Sequence, residues 1–353
     1  MSSNTPKLHH YDYAIAENDT LTTNPPDTDP SPTTTASPPT SQIAAWTQLV
    51  RIPNVFTVLA DVSAAFLLVH QGPTPIERFI LIVLAGVALY WAGMILNDVF
   101  DVEKDRKERP TRPIPAGLVS LGHARTAGWI LLFTGVVIAA AAGRIPSDGA
   151  PITWLPAFTA LALAVMIIGY DGPLKKTPLA PVAMGGCRVL SFLLGASPFF
   201  AIAAGSPLFE KYLFGIAFGF GVYIMGITTM ARREAEGGHS SNLQIGLVVT
   251  ALGAVMLAFA PQLKANQMGW AVATSGVFPM MIGAISFPVI LRGFRAVRDP
   301  TPVKIQTTIR IGIFTIIPLA ASFGFLGAGP WWGLALFGLT MPSLYFSLRF
   351  RVT

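Results

Sequence analysis

The sequence predicts an all-α, polytopic helical membrane protein with a bundle of about nine to ten transmembrane helices. Of the 353 residues, 52% are hydrophobic and only 12% are charged, whereas soluble domains carry about 25% charged residues. Long apolar runs alternate with short polar stretches, and the mean hydropathy is +0.57. A spanning helix needs roughly 20 apolar residues, and many of the runs are of that length.

The first 41 residues differ in composition from the rest of the chain. The stretch NPPDTDPSPTTTASPPTSQ is rich in Pro, Thr and Ser and poor in apolar residues, which predicts a disordered tail over 1–41. It has no charged region followed by an apolar core, so we do not expect a secretory signal peptide. The transmembrane domain is therefore expected over 42–353.

Gly, Pro and charged residues divide the apolar part into ten segments, each expected to form one helix. They lie at about 43–69, 77–97, 120–142, 152–169, 181–204, 208–230, 243–260, 268–291, 304–326 and 331–348.

Half of the 24 Lys and Arg residues lie in the loops after segments two, four, six and eight. These are Lys104, Arg106, Lys107, Arg109, Arg112, Lys175, Lys176, Arg232, Arg233, Arg292, Arg295 and Arg298. The positive-inside rule therefore predicts that these loops and both termini are cytoplasmic. Topology and attraction to anionic lipid account for the net charge of +6, so we expect no nucleic-acid partner.

The stretch LYWAGMILNDVFDVEKDRKERPTRPIPAG, Leu89–Gly117, carries the clearest chemical signal. On a helix, residues three and four apart share a face, so Asn97, Asp98, Asp101 and Asp105 would project together. Such a cluster is costly near hydrocarbon unless it is neutralised. Mg²⁺ prefers oxygen ligands and binds through carboxylates together with substrate phosphates. The spacing favours a site for Mg²⁺ and a diphosphate over an ordinary charged helix end, and the neighbouring arginines could contact phosphate oxygens.

The segment NDVFDVEKDRKERPTRPIPAG resembles the first aspartate-rich motif of the UbiA superfamily of intramembrane prenyltransferases. The resemblance extends from about Gln42 onward and includes RIPNVFTVLAD and YDGPLKKTP. It implies Mg²⁺-dependent transfer of a prenyl group from a prenyl diphosphate to an aromatic or other acceptor. It defines neither the acceptor nor the length of the prenyl chain. The number of helices expected here departs from the family pattern, because family members typically have nine helices and this sequence has ten apolar segments.

Residue chemistry and resemblance together assign roles to the matching positions. Catalysis is assigned to Asp98, Asp101, Lys175 and Glu234. Substrate binding is assigned to Arg51, Asn54, Asn97, Arg106, Arg112, Tyr170, Lys176, Arg232 and Arg233. The Mg²⁺ ligands are assigned as Asn97, Asp98, Asp101, Asp105 and Glu234.

The family's second aspartate-rich motif is absent after segment six, where the chain reads GITTMARREAEGGHSSN. Two interpretations remain open. In the first, Glu234 replaces an aspartate and Arg232 or Arg233 neutralises the diphosphate in place of a second metal ion. In the second, the protein binds isoprenoids or prenyl diphosphates without efficient transfer. The stretch MARREAEGG is also similar to UbiA-like proteins from bacterial ebo-type gene clusters.

Three further ionisable residues lie within apolar segments or at their ends. Asp61 is equally compatible with a cavity-facing role and with a structural one. Arg188 is expected to extend to the membrane interface. Asp171 could orient the acceptor, pair with Lys175 or cap a helix end.

Overall fold

A computed structural model describes residues 41–146, 151–202, 208–232, 241–267 and 269–349, and these residues form helices and connecting turns without strands. The predicted tail, apart from Ser41, lies outside the described residues. In chain order the α-helices are α1 Gln42–Leu49, α2 Ile52–His70, α3 Ile76–Phe100, α4 Val102–Glu108, α5 Leu121–Arg144, α6 Leu155–Gly169, α7 Ala180–Ala196, α8 Lys211–Arg232, α9 Ser241–Phe259, α10 Val277–Arg298, α11 Pro302–Phe314, α12 Ile316–Ala328, α13 Pro330–Gly338 and α14 Thr340–Arg349.

The described part of the chain contains nine candidate membrane spans, judged by length and hydropathy. Eight of them contain the uninterrupted helices α2, α3 and α5 to α10, and the ninth combines α11 and α12. The predicted all-α membrane bundle is thus confirmed. The eighth span is displaced from its expected position, since α10 begins at Val277 rather than near residue 268.

The prediction of a single helix over 43–69 is wrong, because the helix is interrupted at Arg51. Arg51 has a left-handed backbone conformation with φ 48°, which ends α1 and lets α2 start in a new direction. Pro53, in the first turn of α2, suits a helix start because proline lacks the backbone N–H that an interior position would need. The break places the Arg51 side chain at the N-terminal end of α2.

The tenth expected helix, 331–348, is two short helices, α13 and α14, joined at Leu339. Near one end, Gly333 lies against Phe325, in the last part of α12. Near the other, the Ser343 hydroxyl donates a hydrogen bond of 2.8 Å to the carbonyl of Pro53. The pair therefore extends along the bundle to the Arg51 end of α2, although neither helix is long enough to span a membrane alone.

Small residues allow α2 and α7 to approach closely. A Cβ atom added at Gly195 would lie 2.2 Å from the carbonyl oxygen of Val62, so this position requires glycine. Close backbone approach at small residues is a common way of packing helices in membranes. It brings the last turn of α7 next to the middle of α2.

Arg78, at the start of α3, is fully buried at the end of that helix remote from Asp98. Its guanidinium donates hydrogen bonds to the carbonyls of Ile145 (2.5 and 3.0 Å), Pro151 (3.1 Å) and Pro198 (2.8 Å). These carbonyls follow α5, precede α6 and follow α7. One side chain thus donates hydrogen bonds to carbonyls near three helix ends, in the α5–α6 connection and after α7.

We predict that Arg78→Met lowers the free energy of unfolding by at least about 3 kcal/mol, because it leaves three carbonyls without a donor. Denaturant unfolding in detergent, followed by circular dichroism, measures the loss. Arg144→Met is the matched control, since Arg144 is exposed and stacks over Trp154 at 5.0 Å. Equal losses for the two variants would contradict the role assigned to Arg78.

Candidate active site

The first motif lies where α3 continues into α4. Asp101 ends α3 and precedes α4, so the four polar residues of the motif follow a nearly continuous helical path. Asn97, Asp98 and Asp105 are buried, and Asp101 is partly exposed. A helical spacing of three and four residues has thus produced a common polar face, as the sequence predicted.

Asp98 is contacted by two arginines from different parts of the chain. Its Oδ1 accepts hydrogen bonds of 3.3 Å from Arg51 Nη2 and from Arg112 Nη1. Arg112 Nη1 also donates to Asp105 Oδ2 at 2.7 Å. Arg112 reaches both carboxylates because the loop after α4 folds into tight turns, with the Ala116 N–H donating to the Arg112 carbonyl.

Lys175 joins the YDGPLKK stretch to the same site. Its Nζ donates to Asn97 Oδ1 at 2.5 Å and pairs with Asp101 Oδ2. It follows a π-helix, Tyr170–Leu174, that extends α6 by one wider turn. Single π-helical turns are frequent at functional sites because they re-aim the side chains that follow.

The site therefore contains three carboxylates and three cations in direct contact. Arg112 bridges Asp98 and Asp105, while Lys175 bridges Asn97 and Asp101. Among the described residues, no three His, Cys, Asp or Glu side chains converge as a preassembled metal centre. The donors are nevertheless carboxylate and amide oxygens, which suit Mg²⁺. These oxygens could hold a metal ion if Lys175 and Arg112 exchanged their carboxylate contacts for contacts with another anion.

A cavity of about 270 Å³ begins beside these residues and extends between the helices. Its polar lining includes Arg51, Asn54, Tyr170 and Asp171. Most of the remaining wall is apolar and includes Leu89, Leu163, Ile167, Ile224, Ile227, Ile309, Ile313 and Ile316. Arg51 belongs both to the ion-pair cluster and to the cavity wall, so the two are continuous.

Arg188 faces this cavity, which corrects the expectation that it extends to the membrane interface. Arg188 Nη1 contacts Asp61 Oδ2 at 2.5 Å, and Nη2 donates to Thr57 Oγ1 at 3.1 Å. Asp61 is fully buried and also accepts from Ser191 Oγ at 3.3 Å. The close approach of α2 and α7 makes this pair possible, and Asp61 thereby holds Arg188 within the bundle.

Some residues assigned from the sequence lie away from the cluster or outside the described part. Arg106 is exposed and donates to Glu103 at 2.7 Å, so it does not join the other site cations. Lys176 is exposed in the turn after Lys175. Arg232 ends α8, but its side chain lies outside the described residues, as do Arg233 and Glu234.

Asp171 is a site residue to which the sequence assigned no definite role. It is buried, it lines the cavity, and its Oδ2 has no hydrogen-bond partner among the described residues. Its position directly after Tyr170 in YDGPLKK was the available signal. That position does not indicate whether Lys175 pairs with Asp171, and in the structure Lys175 contacts Asn97 and Asp101 instead.

The sequence model of the UbiA prenyltransferase family matches residues 58–308, which is most of the chain. Similar proteins include the digeranylgeranylglyceryl phosphate synthases of Methanobrevibacter smithii and Pyrococcus horikoshii. The first is 29% identical over 48% of this chain and 56% of its own length, and the second is 31% identical over 49% and 58%. The chain spans from about a third to just over half of the length of such curated relatives.

Solved structures share the fold across most of the chain. A UbiA homologue from Archaeoglobus fulgidus bound to GPP and Mg²⁺ has a TM-score of 0.54 and 13% identity, covering 83% of this chain and 99% of its own. A UbiA homologue from Aeropyrum pernix K1 has a TM-score of 0.55 and 17% identity, covering 76% and 96%. At these identities the likeness concerns the helical architecture.

We predict that Arg112→Gln and Arg106→Gln differ sharply in their effect on stability, although each arginine contacts a carboxylate at 2.7 Å. Arg112→Gln leaves the buried Asp105 without a cation and should lower the free energy of unfolding by about 3–5 kcal/mol. Arg106→Gln breaks an exposed pair and should change it by at most about 1 kcal/mol. Thermal unfolding of both variants in one detergent measures the difference, and similar shifts would refute the distinction.

Proposed function

We propose that this chain, which belongs to the UbiA prenyltransferase family, transfers a prenyl group from a prenyl diphosphate to an acceptor within the membrane, with Mg²⁺ as cofactor. The observation that carries the proposal is the junction of a carboxylate and cation cluster with a mainly apolar cavity. A prenyl diphosphate matches this arrangement, because it has a highly charged head and an apolar tail. We place the site at the cytoplasmic face, following the distribution of Lys and Arg.

The cluster suits the diphosphate head because its cations already lie at the cavity end. Lys175 and Arg112 would exchange a carboxylate contact for a phosphate oxygen, and Arg51 would contact the head from the cavity wall. Asn97, Asp98 and Asp101 would then be free to hold Mg²⁺, with Asp105 retaining Arg112 nearby. When bound, Mg²⁺ supplies charge neutralisation that stabilises diphosphate as a leaving group.

The apolar wall has two roles in this proposal. Side chains such as Leu163, Ile167 and Ile224 would bury the prenyl tail, and burial of apolar surface favours binding. The same wall excludes water from the allylic carbon as its bond to oxygen weakens. An electron-rich acceptor in the cavity would then receive the prenyl group rather than bulk water.

Glu234 remains our proposed replacement for the missing second aspartate motif, with Arg232 or Arg233 supplying further positive charge to the diphosphate. Support comes from α8, because Thr228 and Ala231 in its last turns line the cavity. The last turns of α8 therefore lie beside the proposed site.

The comparisons support the donor class. One UbiA homologue of the same fold was solved bound to GPP and Mg²⁺, and another structure from the same organism was solved bound to DMAPP and Mg²⁺. The relatives named digeranylgeranylglyceryl phosphate synthase support prenyl transfer as the reaction type. The prenyl length and the acceptor of this chain are matters for experiment.

We predict that Asp98→Ala and Asp101→Asn each raise the Kd for geranylgeranyl diphosphate in the presence of Mg²⁺ at least about tenfold, since a lost charged contact costs roughly 1.5–3 kcal/mol. Binding to the purified protein in detergent, with and without Mg²⁺, measures the change. Glu103→Gln is the matched control, because Glu103 is an exposed carboxylate of α4 whose ion pair within the described residues is with the exposed Arg106. Unchanged binding in the two aspartate variants would refute the site.

The same preparation distinguishes a transferase from a binding protein. Release of pyrophosphate from geranyl, farnesyl or geranylgeranyl diphosphate that requires both Mg²⁺ and Asp98 would establish transferase chemistry. Tight binding without release, across phenolic, quinone-like and glycerol-ether acceptors, would favour a non-catalytic isoprenoid-binding protein. Absence of binding would exclude both functions.

A further inference from the structure

Asp171 is a buried carboxyl group with one oxygen atom that no described contact satisfies. Only 5% of the residue is exposed, and its Oδ2 has no hydrogen-bond partner among the described residues. Burying a carboxylate oxygen without a partner is unfavourable, because it loses its hydration and gains nothing in return. Asp171 lines the cavity, so a rotation of its carboxyl group would let a ligand in that cavity supply the missing hydrogen bond.

The backbone after Asp171 directs the Lys175 side chain away from Asp171. Lys175, four residues later, extends to Asn97 and Asp101 at the ion-pair cluster. The π-helix Tyr170–Leu174 separates the two side chains, so Asp171 stays at the cavity wall while Lys175 reaches the first motif. The carboxylate is therefore beside the proposed diphosphate site without being part of its network of contacts.

The charges of the cavity wall limit what can bind next to Asp171. Three of the described lining residues are charged, namely Arg51, Arg188 and Asp171. Arg51 is paired with Asp98, and Arg188 is paired with Asp61. Asp171 alone among these three has no ion pair. When it is ionised, no paired cation offsets its repulsion of an anionic group in a medium of low dielectric constant.

We propose that Asp171 determines acceptor specificity by accepting a hydrogen bond from an uncharged hydroxyl group at the reacting end of the acceptor. This inference rests on the proposed function and narrows its acceptor to hydroxyl-bearing molecules. An acceptor whose reacting end carries a carboxylate or a phosphate is excluded by charge. A phosphate elsewhere in the acceptor, outside the cavity, is compatible with the site.

Cys187 allows binding in the cavity to be followed without knowing the natural acceptor. It is the single cysteine of the chain, it is partly exposed and it lines the cavity together with Asp171. The rate at which N-ethylmaleimide alkylates it therefore reports on cavity occupancy. Phenol and benzoate are suitable probes at pH 7, because they have similar size but only benzoate is anionic.

In the wild-type protein with Mg²⁺ and geranylgeranyl diphosphate, phenol should slow alkylation of Cys187 at least about fivefold more than benzoate does at equal concentration. Asp171→Asn should reduce this ratio to near one, because the amide no longer repels benzoate. The control Ser191→Ala removes a different polar group from the same wall and should keep the preference for phenol. Equal protection by both probes in the wild-type protein, or an unchanged ratio in Asp171→Asn, would overturn the proposal.

Stability provides a second, independent readout. Without ligand, Asp171→Asn should raise the melting temperature by about 2 °C or more, because it removes an unpartnered buried carboxylate. A purely structural role for Asp171 predicts a lower melting temperature, and that result would also overturn the proposal. Failure of the proposed function would be recognised separately, since the wild-type protein would then not bind geranylgeranyl diphosphate with Mg²⁺.

Discussion

Carboxylates placed at the edge of an apolar helical bundle must be neutralised, and this constraint organises the site. Asp98 lies in the last turn of α3, which is apolar for most of its length, and Asp101 and Asp105 follow it, so an unpaired charge there is costly. The chain meets the constraint with Arg112 from the following loop and Lys175 from the π-helical turn, while Arg51 comes from the break before α2. Each of these irregular backbone features delivers one cation to the same end of the bundle.

The neutralised cluster also explains how a stable protein can be ready to bind a highly charged ligand. In the absence of ligand, the cations satisfy the carboxylates of the cluster, so Asp98, Asp101 and Asp105 are each paired. A diphosphate with Mg²⁺ can be exchanged into this arrangement, because it offers anionic oxygens to the cations and a cation to the carboxylates. Stability and ligand binding thus depend on the same side chains. Asp171 differs from them, because its Oδ2 has no hydrogen-bond partner among the described residues.

The remote end of the bundle meets a related constraint in a different way. There the groups that need a donor are backbone carbonyls near helix ends. The buried Arg78 donates hydrogen bonds to three of them. In the middle of the bundle, Asp61 and Arg188 satisfy one another across α2 and α7. Each of these three groups of polar residues is therefore paired, and the mainly apolar cavity lies between them.

The sequence by itself determined the membrane class, most of the helices and the shared face of Asn97, Asp98, Asp101 and Asp105. These features depend on local hydrophobicity and helical periodicity, which a short stretch of chain contains in full. Family resemblance added Lys175 and Arg51 to the same site, and the structure brings both into contact with the first motif.

Only the tertiary structure decided which charged groups have partners. Arg188 pairs with Asp61 across 127 residues of sequence, and Lys175 extends to Asn97 across 78, leaving Asp171 without a hydrogen bond on Oδ2. The break at Arg51 and the division of the last segment into α13 and α14 likewise depend on packing against distant helices. Hydrophobicity and periodicity describe one segment at a time, whereas ion pairing and helix packing depend on distances between segments.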